Sequence, residues 1–430
     1  MISRPIWRVG DGPDAAMLSS CLGEHLRGLP RLTRLKRYYD GNTNIALRRR
    51  EPGMPNNRLV HGYPRFITAM AAGYLLGSPV AYLAEPGEDP RAQARNEAGL
   101  AALLEAYRQT DIDSVDAELA RNASIYGRAV ELVYADEAAK PRSVSLDPAC
   151  AFVVYDDTVA ARPLFGVYYA PDRDGRGGQR GWWVHVFTEA EQRTYRTASL
   201  MEPGVPERTS PHYFDGVPMV EYWNDECERG DFEPVLGLID AYDALESDRM
   251  NDKQQFVDAL LLLTGCTLET DERGRSPGQQ LREDKALALP DSDAKAEFLC
   301  KQLNEADTEV LRQALKEDIH KLCLVPDLTD REFAGNSSGV AMRYKLMGLE
   351  QLTRIKERWF REGLRARMAL YAAFLGRVAG AAPDPMAVTA QFTRSLPVNG
   401  LEEAQTLETL GGIADRSALQ ARAAALLGRA

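Results

Sequence analysis

Along the last third of the chain apolar residues recur at three- and four-residue steps. They are Leu349, Leu352, Ile355 and Trp359, then Phe360, Leu364, Met368, Tyr371 and Leu375. That spacing predicts one face of an α-helix. No proline interrupts the pattern between Val340 and Arg377, so the helix would run roughly 55 Å, far longer than an ordinary domain helix. Gly348 and Gly363 weaken it locally, and a bend is expected near one of them. Between the apolar positions stand Arg354, Lys356, Arg358, Arg361, Arg365 and Arg367, with Glu350, Glu357 and Glu362 as counterweights. The simplest reading is a helix that spans the core and turns a basic face to solvent.

The same pattern reading places the other elements. Residues 14–40 look helical and close on Asp40-Gly41. The apolar stretch Phe66 to Leu76 turns at Gly77-Ser78-Pro79 into a short strand at Val80 to Leu83. Helical spacing returns from Arg91 to Ile125 and stops at Tyr126-Gly127-Arg128. A β-rich middle follows, with strands at 129–134, 143–146, 151–155, 164–169, 182–187, 191–195 and 218–223, and a Gly/Arg hairpin tip at 173–180. Asp231-Phe232-Glu233-Pro234 resembles a helix start, and a helix is expected from there to Thr264, closed by Gly265. Residues 267–303 are polar and turn-rich, a small module between helices, because 304–322 is helical again. Ala387 to Phe392 alternates like a strand, and 401–410 and 417–427 read as short helices. The class is α+β, without internal repeats.

Composition narrows the function classes. With 430 residues, 44% hydrophobic and 27% charged, the chain can bury a large core and should divide into more than one unit. Its net charge of −11 argues against a free-standing DNA-binding protein, which needs a basic surface to displace counterions. A protein that handles DNA without gripping it stays compatible. The six cysteines are scattered without a C-x-x-C pair, so neither a zinc site nor a disulfide framework is expected. The five histidines form no H-E-x-x-H cluster. No metal, cofactor or catalytic residue is called for. Met1 to Pro5 begins no signal-peptide stretch. Uncharged Ile67 to Ala84 contains Gly73, Gly77, Ser78 and Pro79, which divide it into helix and strand, so no membrane segment is expected.

Gly335-Asn336-Ser337-Ser338-Gly339 fits the G-x-S-x-G pattern of a hydrolase nucleophile elbow. An elbow needs an apolar strand before it and a histidine after it. Here Asp330-Arg331-Glu332-Phe333-Ala334 precedes the pattern, and the last histidine is His320. A serine hydrolase acting through Ser337 therefore fails on chain order. A nucleotide-driven motor would need G-x-x-x-x-G-K-[ST], and the sequence holds none. What remains is a small hydroxyl-bearing loop at the start of a rigid rod.

Seven short segments, in order, resemble the bacteriophage portal (head–tail connector) family of tailed, siphovirus-type phages. They are Tyr38-Tyr39-Asp40-Gly41-Asn42, Pro55-Asn56-Asn57-Arg58, Gly73 to Val80 and Tyr126 to Glu131, then Asp248-Arg249-Met250-Asn251-Asp252, Gly335 to Ala341 and Phe392 to Pro397. Each is weak alone; seven in family order over residues 38 to 397 are specific together. The resemblance implies a self-assembled, dodecameric ring at one capsid vertex of the virion, assembled in the bacterial host cytoplasm. Double-stranded DNA would pass through it without sequence reading during packaging, retention and ejection. The implied partners are the terminase large subunit, the major capsid and scaffolding proteins, and a head-completion adaptor at the head–tail joint.

The resemblance also implies a domain plan. Residues 1–232 would form an α/β wing, completed by a long helix at 340–378 and a strand at 379–398. Stem helices at 233–266 and 304–324 would flank a clip at 267–303, and a small helical crown would lie at 399–430. The tunnel loop, 325–339, would carry Gly335, Asn336, Ser337, Ser338 and Gly339 into the channel, with Arg331 and Arg343 as the nearest cations. Those arginines fit intersubunit ion pairing equally well. In the clip, Glu269, Asp271, Glu272 and Arg273 are candidates for partner contact. A non-ring virion scaffold or binding protein is the alternative, and oligomeric state separates the two.

Overall fold

The computed structural model describes residues 1–6, 12–52, 54–256, 260–264, 270, 276, 295–299, 305–328, 344–380 and 383–394. They form an α+β fold of seven α-helices and several sheets, divided into two compact units. The first comprises Met1–Gly41, Gly62–Leu236 and the described part of Ile319–Ala430; the second comprises Asn42–His61 and the described part of Gly237–Asp318.

The first unit is built on sheets. Strands β1 (Ile2–Arg4), β5 (Ala151–Asp156), β6 (Pro163–Arg173), β7 (Gln179–Phe187), β8 (Glu191–Thr197) and β9 (Arg208–Pro211) form a six-stranded sheet in the order β1-β5-β6-β7-β8-β9. Only the β1–β5 pair is parallel. Helix α1 (Ala15–Tyr39) covers this sheet, burying Leu18, Cys21 and Leu22 with Phe152, Phe165, Val184 and Val186. Asp14 caps it, its carboxylate accepting the Met17 N–H at 2.7 Å. A second sheet runs β10 (Met219–Trp223), β3 (Arg128–Ala135), β4 (Pro141–Leu146). The two-stranded third pairs β2 (Ala81–Ala84) with β13 (Val388–Gln391) across three hundred residues of sequence. Helices α2 (Tyr63–Leu76), α3 (Pro90–Thr110), α4 (Ile112–Tyr126) and α7 (Met347–Ala379) enclose the largest core, where Leu103, Tyr107, Leu119, Tyr222, Phe360, Leu364, Met368 and Tyr371 meet.

Two glycines are fixed by close approach. Gly127 ends α4 at φ +86°, and a Cβ there would stand 1.9 Å from the Glu228 carbonyl oxygen. Gly363 lies inside α7, where a Cβ would stand 2.4 Å from the Tyr222 ring. The long helix therefore keeps this glycine so that β10 can press against its backbone.

Several pattern expectations are corrected. The helix expected to reach Thr264 ends earlier: α5 is Leu236–Phe256, and Leu260–Thr264 is strand β11, antiparallel to β12 (Lys295–Leu299). Four successive leucines carry no 3.6-residue period, and a short apolar run serves strand and helix equally. The pattern from Arg91 to Ile125 breaks at Asp111, which adopts φ +53° between α3 and α4. Helix α7 confirms the long rod over Met347–Ala379; residues 340–343 lie outside the described set. Its basic residues do not all face solvent, because Lys356 and Arg367 are buried, while Ile355, expected in the core, is exposed. Strands β1 and β9 were not anticipated; each is only three or four residues long.

Candidate functional site

The predicted tunnel-loop residues Arg331, Gly335, Asn336, Ser337, Ser338, Gly339 and Arg343 lie outside the described residues, and so do Glu269, Asp271, Glu272 and Arg273. What the structure shows is the mounting on either side of the loop. On the incoming side, α6 (Glu305–Leu322) ends with the His320 ring nitrogen Nδ1 3.0 Å from the Val325 carbonyl. The His320 ring also meets Tyr63 and Phe66 edge-on. Val325 is buried, and Leu324 takes φ +58° to turn the chain. On the outgoing side α7 begins, and three polar clamps hold it.

The first clamp is Lys356, buried on α7, paired with the Asp231 carboxylate. Asp231 also accepts from the Ser124 hydroxyl at 2.6 Å and the Asn224 amide at 2.8 Å. Every partner of this buried charge is thus supplied, which a buried ion pair requires. The second is Arg367, fully buried, with Nε 2.8 and 2.9 Å from the Glu131 carboxylate and Nη2 2.6 Å from Asp116. The Tyr222 hydroxyl donates to Glu131 at 2.6 Å, and the Tyr107 and Tyr222 rings flank the guanidinium. Burial pushes Asp116 up to about 6, against the pull of Arg367. The third is Arg394, which reaches Glu350 at 3.0 Å and Glu357 at 2.7 Å. Tyr74 donates to the same Glu350 at 3.1 Å and lies under the Arg394 guanidinium. Two of the sequence segments that carried the resemblance, Gly73 to Val80 and Phe392 to Pro397, therefore converge on one face of α7.

A parallel arrangement orders the second unit. Helix α5 presents Asp243, Ser247 and Asn251, one turn apart and fully buried, to the strap 42–61. Asp243 accepts from the Thr43 hydroxyl at 2.6 Å and the His61 N–H at 2.9 Å. Ser247 Oγ accepts the Leu59 N–H at 3.0 Å. Asn251 Oδ1 accepts the Asn57 N–H at 2.7 Å and its side-chain amide at 2.9 Å. Arg48 and Arg50 both pair with Asp248. The segments Pro55 to Arg58 and Asp248 to Asp252 thus dock on each other. Toward α6, Arg249 pairs with Glu305 at 2.9 Å and Glu309 at 3.0 Å, and Arg312 bonds the Tyr242 hydroxyl at 3.2 Å.

Sequence reasoning missed these clamps, yet they left a signal. Arg367 falls three residues after Leu364 and four before Tyr371, on the apolar stripe. Asp116 sits likewise among Ile112, Val115, Leu119 and Ala120 on α4. Charges on two apolar stripes ask for each other. Among the described residues no helix is long and apolar enough to cross a membrane.

This organisation, a sheet-built body with a long helix clamped at a loop exit and a second unit bound through polar contacts, is that of a phage portal protein. The family model "Phage portal protein, SPP1 Gp6-like" matches residues 18–422, and the chain belongs to that family. It is 22% identical over 441 residues to the portal protein of Bacillus phage SPP1, covering 95% of this chain and 83% of that one. It is also 24% identical over 225 residues to the portal protein of Clostridium phage phiCD119, covering 48% of this chain and 44% of that one.

Proposed function

We propose that the chain is the subunit of a closed ring, set at one vertex of a phage head, through which double-stranded DNA is packaged, retained and ejected. The observation that carries this reading is the family match over nearly the whole chain. The acidic balance supports it: subunits of net charge −11 in a ring repel the phosphate backbone, so that DNA is not held by the wall. Energy would come from a terminase partner, since the chain carries no phosphate-binding loop of the Walker type. In this reading α5 and α6 form the stem, β11 and β12 lead into the clip, and the first unit forms the wing. Residues 325–339 form the tunnel loop, with serine hydroxyls and backbone groups meeting phosphate but no bases. Residues 399–430 form a small crown. The clip would meet the terminase and then the head-completion adaptor, and the wing the capsid and scaffolding proteins.

Native mass spectrometry of the purified chain tests the reading. A closed ring of about a dozen 47.6 kDa chains is expected. A chain that stays single at high concentration and with capsid partners present would instead support a non-ring virion protein.

A further inference from the structure

The first unit carries an apolar groove of about 460 Å³ between β10 and α7, a size that accepts side chains or a small ligand. Trp223 and Trp359, with rings 5.2 Å apart, stand in its wall beside Met219 and Leu370. Ala366 leaves it open toward solvent, and Val159, just before lining residues Ala160 and Ala161, is wholly exposed at its lip. An apolar slot with an exposed valine beside it is surface of the kind that partners cover.

The rim is cationic. Arg358, Glu362 and Arg365 follow at four- and three-residue steps on the flank of α7 through which Glu362 lines the groove. Arg162 adjoins the lining residue Ala161. All three arginines are exposed, and none forms an ion pair with a described residue. On a chain of net charge −11, three unsatisfied arginines around one apolar slot select an apolar side chain carried on an acidic segment.

The chain itself bears such a segment. Between β8 and β9, Val205 is 85% exposed, with Glu202 and Glu207 exposed on either side. The base of this loop is fixed: the Ser19 hydroxyl donates to the Met201 carbonyl at 2.6 Å, and the Thr197 hydroxyl to the Glu202 carbonyl at 2.7 Å. The groove borders β5 through Tyr155, near one edge of the six-stranded sheet, whereas the loop joins the two strands at the other edge. Different patches at opposite edges make the head-to-tail contact that a closed ring needs.

We propose that the groove receives the Val205 loop of the neighbouring copy, with Glu202 and Glu207 facing Arg162, Arg358 and Arg365. The proposal rests on the ring reading above. Its test is a double variant, Val205→Cys with Ala366→Cys, oxidised after assembly and run without reductant beside each single variant, because the native Cys227 is exposed. Disulfide-linked multimers in the double variant alone are expected. As a second arm, Arg365→Glu should raise the concentration for half-assembly about tenfold, and adding Glu207→Arg should restore it. If rings of wild-type mass form without cross-linked multimers, and Arg365→Glu assembles like the wild type, the groove contact is overturned while the ring stands. Should the cysteine variants fail to assemble, the charge-reversal pair decides: rescue supports the contact and no rescue overturns it. If the wild-type chain forms no ring, the ring reading fails and takes the groove contact with it.

Discussion

At position 25 a histidine occupies a place that its chemistry makes sensitive to acid. The His25 ring stacks on Phe152 at 4.6 Å, its Nε2 lies 3.1 Å from the Ala149 carbonyl, and burial pushes its pKa down to about 4. In the unfolded chain the same ring takes up a proton below about 6.5. A lowered folded value means that His25's contribution is complete above about 6.5 and is lost as the pH falls toward about 4. The gap is worth at most about 3 kcal/mol. Asp116 works the other way: its folded value, raised to about 6, makes the folded state hold more protons between about 4 and 6, so its contribution declines as pH rises there. The two windows overlap, so only a comparison of variants separates them. His25→Phe keeps the stack on Phe152 and removes the proton site. Its urea midpoint should fall less between pH 7 and pH 5 than the wild type's; equal slopes would acquit His25.

Helices and strands show what was legible in the sequence. The long rod, α1 and most strands of the β-rich middle could be read, because each keeps one period over enough residues. Leu260–Thr264 could not, since five residues of mostly leucine carry no period and β12 lies beyond a turn-rich stretch. The pairing of β2 with β13 was equally hidden, as two four-residue strands far apart in sequence have nothing local to align them. Lys356 and Arg367 looked like members of a solvated face because their carboxylates come from residues 231, 116 and 131, on other elements. The tunnel-loop and clip candidates rest on the resemblance alone. Helix α5 gives an element-scale prediction, because its buried stripe is Asp243, Ser247 and Asn251 rather than leucine. Its link to α6 runs through Arg249 and Arg312, both partly exposed. Exposed ion pairs are screened by salt. Arg249→Ala should therefore speed amide exchange in α5 and α6 several-fold, and 1 M salt should move the wild type in the same direction. Exchange unchanged by both would mean that apolar contacts join the helices.

On the scale of the whole molecule, the ring reading joins two facts that look opposed: an acidic chain, and two arginines beside the loop that would face DNA. A wall of net negative charge keeps the duplex from sticking, while a few cations at the narrowest point can guide phosphate without holding it. Arg331 and Arg343 then have two possible duties, guiding DNA or pairing with carboxylates of the adjacent subunit. The duties separate in one experiment on the double variant Arg331→Ala/Arg343→Ala. If they guide DNA, rings keep their mass and urea resistance, while nuclease-protected DNA in assembled heads falls several-fold. If they pair between subunits, the loss appears first as rings that dissociate at lower protein concentration, before any DNA or motor is added. A variant that assembles and packages like the wild type would remove both arginines from the channel mechanism and leave the serine hydroxyls and backbone of 335–339 as the groups that touch phosphate.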